Sequence, residues 1–407
     1  MPSDSRFQPV PAKEESERKN WFERHPKKAL SFILLGLLLI LLISLLAAEK
    51  LVEAMVSPQV FRPRVKRFIR LREYPPFHIG FAYTPGAQSL GDRIIHRIDE
   101  DGFIIPSKVH EEAEVTLVFL GGSTTECFQV KETLRFPYLV GRLLEEKTGL
   151  KVNSFNGAMA GNNSLHSLNI LLNKVIPLNP RLVVMMHNIN DLVILLYEKT
   201  YWNRNRFKSP IVAFPPTLET VGKYLQESGQ IFRDLLFPAL YAQFKEWRKG
   251  FSRNVRDKEV GPDEFAAVRD RPVQIDQDRL EREFRGNLET FIGICQARQF
   301  TPVLMTQPSR LKENPDPEIL QHVKRQMEAR QGISYRQFRE LFDGFNQVIR
   351  ETAARRGVPL IDLARQVPGE KTYMEDVVHL TEEGSVLVAR LVSQSLLPYL
   401  EGKTTIN

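Results

Sequence analysis

The fold is decided by one stretch of the chain, Val115-Thr116-Leu117-Val118-Phe119-Leu120-Gly121-Gly122-Ser123-Thr124-Thr125. Six consecutive apolar or β-branched residues that end in two glycines are typical of a strand covered on both faces and followed by a tight turn. Glycines in such a turn let the backbone approach a ligand closely. Ser123 is therefore predicted to lie at the carboxyl end of a central strand, where open α/β sheets bind their ligands. Taken alone, Gly-Gly-Ser is also typical of an ordinary loop.

Alternating strand and helix patterns run from this stretch towards the carboxyl terminus. Short apolar runs predict strands at 115–120, 151–155, 181–187, 302–306 and 358–362. Between and after these runs, apolar residues recur at helical spacing, for example at Leu165, Leu168, Leu172 and Val175 and again at Val388, Leu391, Val392 and Leu396. Strands that are separated by helices pair in parallel, so the sequence predicts an α/β fold in which a parallel sheet lies between helical layers.

Composition bounds the class of protein. The 407 residues allow about two or three domains, and 42% hydrophobic with 26% charged residues is ordinary for a globular protein. The formal net charge is +7, but the basic residues are spread along the chain among 49 acidic ones, which argues against nucleic-acid binding and for a solvated surface. Cys127 and Cys295 have neither metal-ligand spacing nor the density of a disulfide scaffold, and their pairing stays open. Neither a metal-ligand cluster nor a phosphate-binding glycine loop occurs, so we predict no metal and no cofactor.

A long apolar segment lies near the amino terminus. Residues 29–48 carry no charge, and a helix of this length spans about 30 Å, the thickness of the bilayer hydrocarbon core. Basic residues cluster immediately before it, which predicts a cytoplasmic amino terminus: Arg18, Lys19, Arg24, Lys27 and Lys28. A cleaved signal peptide is the rival interpretation, but its apolar region is usually shorter, and cleavage after Ala47 or Ala48 would place a leucine where a small residue is needed. We therefore predict one uncleaved transmembrane anchor.

The remaining organisation follows from changes in pattern. We predict a cytoplasmic tail at 1–28, the anchor at 29–48, a proline-containing stalk and lead-in at 49–112, the α/β domain at 113–400 and a short tail at 401–407. Residues 192–279 interrupt the strand and helix alternation, and a structureless loop of that length is improbable in a compact domain. We expect an insertion with a helix of its own at about 231–249, whose aromatic residues form a local core or line a substrate cleft.

Polar motifs follow the second and third strands and precede the last helix. They are Asn156 to Ser164, Asn188-Ile189-Asn190-Asp191 and Asp376-Val377-Val378-His379-Leu380-Thr381. In a parallel sheet these loops can meet Ser123 at one edge. A nucleophilic serine needs a general base, and the base needs a carboxylate that fixes its tautomer and stabilises the imidazolium, which His379 and Asp376 can provide. The oxyanion needs hydrogen-bond donors, which the N–H groups of Ser123 and Gly161 and the amide of Asn190 can provide.

In this order, the motifs resemble the conserved blocks of the SGNH (GDSL-like) hydrolase family. Gly121-Gly122-Ser123-Thr124 resembles block one, Asn156 to Gly161 block two, Asn188 to Asp191 block three and Asp376 to His379 block five, and the resemblance covers about 113–400. It implies a flavodoxin-like three-layer sandwich with a parallel five-stranded sheet. It also implies Ser123 as nucleophile, His379 as base, Asp376 as its orienting carboxylate, and Gly161 and Asn190 as oxyanion donors.

Two positions depart from the family pattern. Gly122 replaces the Asp that often precedes the serine, and Asn188 replaces the usual Gly of block three. The first is similar to a Gly-Gly-Ser-Thr variant of membrane-anchored bacterial members. The second leaves the backbone conformation beside Asn190 open, although Asn tolerates a left-handed conformation better than most residues.

The sequence thus predicts a serine esterase of SGNH type in the bacterial inner membrane, with its catalytic domain in the periplasm or outside the cell. We expect it to remove an acyl group such as acetyl from an envelope or exported carbohydrate, through an acyl-enzyme on Ser123. Two alternatives stay open: an O-acyltransferase to a polysaccharide that uses the same triad, and a non-catalytic scaffold in polysaccharide assembly. The expected partners are an acylated carbohydrate or other ester, the membrane through residues 29–48, and polysaccharide-assembly proteins.

Overall fold

The computed structural model describes residues 20–55, 66–83, 93–205, 207–214, 221–222, 224–226, 228–229 and 273–400. By the contacts among its residues the chain divides into two units. One consists of Met1–Lys66 with Phe214–Phe232, and the other of Arg67–Ala213 with Arg233–Asn407. The predicted insertion helix at 231–249 and the tail at 401–407 lie outside the described residues.

The described residues form the following strands and helices. The strands are, in chain order, β1 (Lys66–Ile69), β2 (Ile79–Tyr83), β3 (Arg93–Arg97), β4 (Val115–Gly121), β5 (Val152–Asn156), β6 (Leu182–Met186), β7 (Ile211–Phe214), β8 (Thr301–Met305) and β9 (Leu360–Ile361). The helices are α1 (Trp21–Arg24), α2 (Pro26–Met55), α3 (Ser123–Glu126), α4 (Phe136–Thr148), α5 (Ser164–Ile170), α6 (Ile189–Glu198), α7 (Gln277–Ala297), α8 (Pro317–Val323), α9 (Ala329–Gln331), α10 (Tyr335–Arg356), α11 (Leu363–Gln366) and α12 (Glu382–Leu400). Single π-helical turns follow α5 at Leu171–Val175 and α8 at Lys324–Glu328, and 3₁₀ turns lie at Glu132–Leu134 and Ile176–Leu178.

The first unit contains the long apolar helix α2. Its segment Pro26–Ala48 has a mean hydropathy of 3.0, and only 6% of its most apolar window is buried. The short helix α1 precedes it and begins with a capping box between Asn20 and Glu23. By length and composition α2 is able to cross a membrane, which agrees with the apolar segment predicted at 29–48.

The second unit is built on a five-stranded parallel sheet. The strand order is β5-β4-β6-β8-β9, so β4 lies between β5 and β6. All neighbouring strands pair in parallel, with Leu117 opposite Leu182 and Leu182 opposite Thr301. The five predicted strands are confirmed, and so is the α/β class. The order reverses at β4, which creates the switch point where ligands bind in open α/β sheets.

Side chains of the central strands alternate between two apolar cores. Val118 and Leu120 face a core that includes α5, α6, α7 and α10. Leu117 and Phe119 face the opposite core, which is completed by α4 and α12. This period of two buries both faces of β4, which explains why its sequence is apolar without interruption. The result is the predicted sandwich of a sheet between two helical layers.

The described part of the lead-in contains short strands. Strands β2 and β3 form an antiparallel hairpin, and Phe103 and Ile104 are fully buried. The guanidinium of Arg135, 1% exposed, donates hydrogen bonds to the carbonyl oxygens of Ile105 (2.8 Å) and Ile95 (3.1 Å). Proline-rich composition predicted the absence of long elements here, but buried apolar residues and these hydrogen bonds hold residues 93–112 against the α/β domain.

Candidate active site

The predicted site residues lie at the carboxyl edge of the parallel sheet. Ser123 begins α3 directly after β4, and Asn190 lies in the first turn of α6, four residues after β6 ends. Gly161 lies in the loop between β5 and α5, and Asp376 and His379 lie in the loop before α12. Because β4 and β6 are neighbours, their loops meet at the switch point of the sheet.

Ser123, His379 and Asp376 form a continuous hydrogen-bonded chain. The distance from Nε2 of His379 to Oγ of Ser123 is 2.7 Å, and the distance from Nδ1 of His379 to Oδ2 of Asp376 is also 2.7 Å. Both ring nitrogens are therefore engaged, one by the hydroxyl and one by the carboxylate. This arrangement can transfer a proton from the hydroxyl to the ring while the carboxylate stabilises the resulting positive charge.

A local turn explains how Asp376 reaches the ring. Its Oδ1 accepts hydrogen bonds from the backbone N–H groups of Val378 and His379, each at 3.0 Å, which leaves Oδ2 for the imidazole. Carboxylates that bond to backbone two and three residues later are typical of Asx turns. The three-residue spacing in the sequence is thus sufficient for the contact.

The buried side chain and backbone of Arg310 stabilise this turn. Arg310 is 2% exposed, and its Nη1 donates to the carbonyl oxygen of Glu375 at 3.2 Å. Its backbone N–H donates to the carbonyl oxygen of Val377 at 2.9 Å. Its Nη2 donates to Asp316 at 2.7 Å and to Glu318 at 2.6 Å. Arg310 thereby fixes the backbone on either side of Asp376. It was not singled out in the sequence, because nothing local marks an arginine that acts through another loop.

The charges of the triad shift its pKa values. Burial raises the pKa of Asp376, but the hydrogen bond and charge of His379 and the two backbone N–H groups outweigh it, and the net pKa is well below the usual range. Burial likewise lowers the pKa of His379, but the hydrogen bond and charge of Asp376, with a further contribution from Glu126, raise it above its ordinary value. Asp376 therefore stays ionised, and His379 is a stronger base than an isolated histidine.

Asn190 lies against the backbone beside the serine. Its Nδ2 donates to the carbonyl oxygen of Asn162 at 2.9 Å, and a Cβ on residue 122 would overlap with the same Nδ2. Gly122 is therefore required for the present position of the Asn190 amide, which explains the departure from the family pattern at that residue. Gly161 has a φ of 75°, the left-handed region that favours glycine. The loop thus turns sharply next to Asn162.

The second departure, at Asn188, has a different explanation from the one considered in the sequence. Its φ of −166° is extended backbone, not left-handed. The side chain is 1% exposed, and its Nδ2 donates to the carbonyl oxygen of Phe342 at 2.9 Å. An asparagine here therefore connects the start of α6 to α10, a contact that glycine does not provide.

Gln307 and Thr124 connect three of the loops. The buried Gln307 follows β8, donates from Nε2 to Oγ1 of Thr124 at 2.6 Å and accepts from the N–H of Ile189 at 2.9 Å. Thr124 in turn donates to the carbonyl oxygen of Val378 at 3.1 Å. The loops that carry Ser123, Asn190 and His379 are thus joined by buried, satisfied hydrogen bonds. The position of Gln307 directly after a predicted strand is the signal that could have identified it.

A pocket of about 280 Å³ opens beside the triad. It is lined by Tyr74, Ser123, Glu126, Cys127, Phe128, Gln129, Ala160, Asp376, His379 and Leu380. Tyr74 belongs to the lead-in, so a segment expected to be a stalk forms part of the pocket wall. Another, more open cleft of about 460 Å³ surrounds Arg310 and is lined mainly by charged residues that pair with one another. It contains neither the serine nor the histidine.

Glu126 is the charged residue of the pocket that the sequence interpretation missed. It lies three residues after Ser123, is fully buried, and accepts a hydrogen bond from the hydroxyl of Tyr74. Burial raises the pKa of Glu126 to about 7. His96 lies 3.8 Å from its Oε1, but burial lowers the pKa of His96 to about 3, so this ring is neutral. The buried Arg135 also contributes positive charge near Glu126.

Several buried polar residues near the loop before α5 bond to one another. Asp191 accepts hydrogen bonds from the N–H of Ser164 (3.0 Å) and the hydroxyl of Tyr201 (2.7 Å), and burial raises its pKa to about 6. His187 bonds to Ser167, and burial lowers the pKa of His187 and of His166 to about 3. These histidines are neutral and do not contact the triad in the structure. Within the described ranges, no group of His, Cys, Asp and Glu is arranged to hold a metal ion.

Comparison with known proteins identifies the class. Residues 119–387 match the model of the GDSL-like lipase/acylhydrolase family, which is more than half of the chain. The chain therefore belongs to the GDSL-like (SGNH) family, and the resemblance seen in the sequence is confirmed. It is a serine hydrolase that acts on ester bonds. A comparison with curated proteins found no match.

Solved structures show distant similarity. An acetyl xylan esterase is 14% identical and is matched over 69% of this chain and 100% of its own, with a TM-score of 0.38. A lipase/acylhydrolase from Enterococcus faecalis is 16% identical over 70% and 95%, with a TM-score of 0.38. An acetylxylan esterase from Geobacillus stearothermophilus is 14% identical over 70% and 94%, also with a TM-score of 0.38. At these values the matches carry no inference about substrate.

Proposed function

We propose that this chain is a membrane-anchored esterase that removes a short acyl group, such as acetyl, from an envelope or exported carbohydrate through an acyl-enzyme on Ser123. The observation that carries the proposal is the continuous hydrogen-bonded chain from Ser123 through His379 to Asp376. Such a chain activates a serine that is otherwise a poor nucleophile. Its completeness supports catalysis over a purely scaffolding role.

The geometry suggests the following sequence of steps. His379 Nε2 takes the hydroxyl proton while Oγ of Ser123 attacks the ester carbonyl, and the negative oxygen is stabilised by the N–H of Gly161 and the amide of Asn190. The carbon–oxygen bond to the alcohol then breaks, and His379 returns the proton to the departing hydroxyl. Water next attacks the acyl carbon and gives a proton to His379. The bond from the acyl carbon to Oγ of Ser123 then breaks, His379 returns the proton to Oγ, and the free acid leaves.

Two features support a short acyl group and water as acceptor. At about 280 Å³ the pocket is at the low end of the range of ligand sites, and the rings of Tyr74 and Phe128 occupy its wall. The side chain of His379 is 37% exposed, so water can reach the base after the alcohol has left. A hydrolase is therefore favoured over an O-acyltransferase.

The proposed location rests on α2. We infer that it is a single-pass anchor in the bacterial inner membrane, with the amino terminus in the cytoplasm and the catalytic unit in the periplasm or outside the cell. The basic residues before the apolar run and its low burial support this topology. A reporter that is active only outside the cytoplasm, fused after Asn407, tests it. Inactivity of that reporter would reverse the orientation.

The central experiment is covalent labelling followed by a substrate screen. A fluorophosphonate should form an adduct that mass spectrometry assigns to Ser123, and acetylated glycans and short acyl esters should be hydrolysed. An adduct on another residue, or acetate release that persists in Ser123→Ala, would overturn the proposal. Acyl transfer to a glycan without release of free acid would favour the transferase.

Removal of the Asn190 amide should slow turnover without unfolding the protein. We expect Asn190→Ala to reduce kcat by about 10²-fold to 10³-fold, the usual cost of one lost oxyanion donor, with little change in KM. Asn173, an exposed asparagine that bonds only to the carbonyl of Asn169 in the described structure, provides the matched control as Asn173→Ala. Equal rates for Asn190→Ala and the control would remove Asn190 from the site.

The pH profile should report the raised pKa of His379. Only the neutral ring accepts the serine proton, so kcat/KM should fall as the pH drops through the pKa of His379. The midpoint should lie above that of an ordinary histidine, about 6.5. Glu126 raises this pKa only in its ionised form, and its own pKa is about 7. Glu126→Gln removes that charge and keeps an acceptor for Tyr74, so the midpoint should move to lower pH. Glu132→Gln, at a carboxylate that pairs with Arg97, should leave the midpoint unchanged. An unmoved midpoint in Glu126→Gln would show that His379 does not sense this charge.

A further inference from the structure

Two cationic side chains bond to successive carbonyl groups in the loop between β5 and α5. Nζ of Lys208 donates to the carbonyl oxygen of Gly161 at 3.1 Å, and Nη2 of Arg72 donates to the carbonyl oxygen of Ala160 at 3.4 Å. Neither cation belongs to the motifs that predicted the site. We call residues 160–162 the oxyanion loop, because the loop carries the predicted oxyanion donor Gly161.

Lys208 lies directly against this loop. Only 6% of the residue is exposed, although lysine is almost never buried without a partner. A Cβ on residue 161 would lie 2.3 Å from Nζ of Lys208, so the amine occupies the space that a side chain at Gly161 would need. The backbone N–H of Lys208 donates to Oδ1 of Asn205 at 3.1 Å, a bond that does not involve the amine.

The two cations come from segments that bond to each other. Arg72 belongs to the lead-in and Lys208 to the predicted insertion, and the backbone N–H of Arg70 donates to the carbonyl oxygen of Pro210. Nδ2 of the buried Asn162 donates to the backbone carbonyl oxygen of Arg72 at 2.9 Å. These contacts hold both segments beside the oxyanion loop without the two cationic groups.

The carbonyl contacts restrict the direction of the N–H groups of the loop. In a planar trans peptide the C=O of one residue and the N–H of the next point in opposite directions. The Ala160 carbonyl and the Gly161 N–H form one such unit, so the bond from Arg72 restricts where this N–H points. Among the described residues the Gly161 N–H donates to no protein acceptor, whereas the Asn162 N–H donates to the carbonyl oxygen of Met159 at 3.0 Å. The Gly161 N–H is thus available to an oxyanion.

The two positive charges also strengthen this donor. A carbonyl group that accepts from a cation polarises its peptide unit, which makes the attached N–H a better donor. Because Lys208 is buried, its charge is screened less than that of a surface lysine. The buried His166, five residues after Gly161, lies in the same field: burial and then the charges of Arg72 and Lys208 lower its pKa to about 3.

We propose that Arg72 and Lys208 are positioning residues for the proposed ester hydrolysis. Through the carbonyls of Ala160 and Gly161 they hold the Gly161 N–H towards the oxyanion of the transition state. The inference rests on the proposed function and deepens it, because it assigns part of the oxyanion stabilisation to the lead-in and the insertion. Neither cation lines the pocket, so each acts through the loop and not on the substrate. Their loss should therefore lower kcat and leave KM nearly unchanged.

Kinetics of the full chain in detergent test the proposal. Lys208→Met removes the amine and keeps an apolar stem, and we expect kcat on a short acyl ester to fall about tenfold to a hundredfold, the cost of a small misplacement at a reacting centre. Arg72→Met should have a smaller effect, because its bond to the loop is longer. Arg72→Lys keeps the charge and should retain more activity than Arg72→Met. Thermal unfolding of each variant checks the fold.

A second measurement separates positioning from a general structural role. A trifluoromethyl ketone adds to the serine as a tetrahedral adduct whose oxyanion occupies the oxyanion site, so its affinity should fall in Lys208→Met by the same factor as kcat/KM. The control is Lys174→Met. Lys174 has a side chain that is 11% exposed and an amine that bonds to the carbonyl of Gly102, outside the pocket. This variant should lose stability but keep its kcat and its affinity for the ketone.

The outcomes distinguish this inference from the proposed function. Values of kcat and ketone affinity in Lys208→Met that stay within twofold of the unmodified protein overturn the inference. Equal losses of kcat in Lys208→Met and Lys174→Met also overturn it, since they would show a general effect of losing a buried amine. If the unmodified protein hydrolyses no ester and Ser123 is not labelled by a fluorophosphonate, the proposed function itself is wrong and the inference fails with it.

Discussion

Replacement of Ser123 by alanine should abolish nearly all ester hydrolysis, and replacement of His379 by alanine should have an effect of the same size. We expect each change to lower kcat by about five to six orders of magnitude, the loss seen when either group is removed from a serine hydrolase triad. The reason is mutual dependence: the hydroxyl attacks only when Nε2 of His379, 2.7 Å away, takes its proton. Steady-state kinetics on a short acyl ester, with thermal unfolding as a check of the fold, measure the effect.

A double variant tests whether Ser123 and His379 act as one unit. Since the two residues act as one unit, the combination of Ser123→Ala and His379→Ala should cost little more than either change alone. Ser395→Ala on α12, whose hydroxyl bonds to the carbonyl of Leu391, is the matched control and should retain full activity. Losses that multiply in the double variant would mean that Ser123 and His379 act independently, which is incompatible with a triad.

Replacement of Asp376 by asparagine should be almost as severe. We expect a loss of about 10⁴-fold in kcat, because an amide can hold the ring in the wrong tautomer and cannot stabilise the imidazolium. The carboxylate oxygen that would be lost is the one 2.7 Å from Nδ1 of His379. Unlike Ser123→Ala, this variant keeps the nucleophile, so slow labelling by a fluorophosphonate should persist at high pH.

The neighbouring carboxylate supplies the control. Glu375→Gln changes the same charge one residue earlier, but only the backbone of Glu375 takes part in the turn, as acceptor for Arg310 and as donor to the carbonyl of His379. Its activity should stay within twofold of the unmodified protein, roughly the effect of a distant surface charge. Comparable losses in Glu375→Gln and Asp376→Asn would indicate a general effect of charge and remove Asp376 from the triad.

Much of the fold was accessible from periodicity. The uninterrupted apolar run of β4 predicted a strand covered on both faces, and the structure confirms it through the two cores that Leu117 and Val118 face in turn. Each of the five predicted strands lies within two residues of its observed bounds. The pairing order was not derivable from these local patterns. The choice of neighbours depends on packing between distant segments.

Some residues of the candidate site could likewise be named from the sequence, and others could not. Ser123, Asn190 and His379 could be named because each lies next to a strand or helix whose end is marked in the sequence, and the structure brings their loops together. Their roles remain predictions that the variants above test. Tyr74, Glu126 and Arg310 were missed because they act through contacts between segments far apart in sequence, or through burial, which no local pattern encodes. The packing of the lead-in could not be predicted for the same reason, since its prolines were visible in the sequence and its buried contacts were not.

Because the Asn190 amide lies against Gly122, substitutions at positions 122 and 190 are not independent, although a family profile scores each position separately. A consensus or ancestral reconstruction would restore the acidic residue before the serine, and its Cβ would occupy the space that the Asn190 amide fills. The exchange would therefore force the Asn190 amide to move, a case of non-additivity between touching residues. Chimeras between members of the family should therefore swap both blocks together, and directed-evolution libraries should vary positions 122 and 190 as a pair.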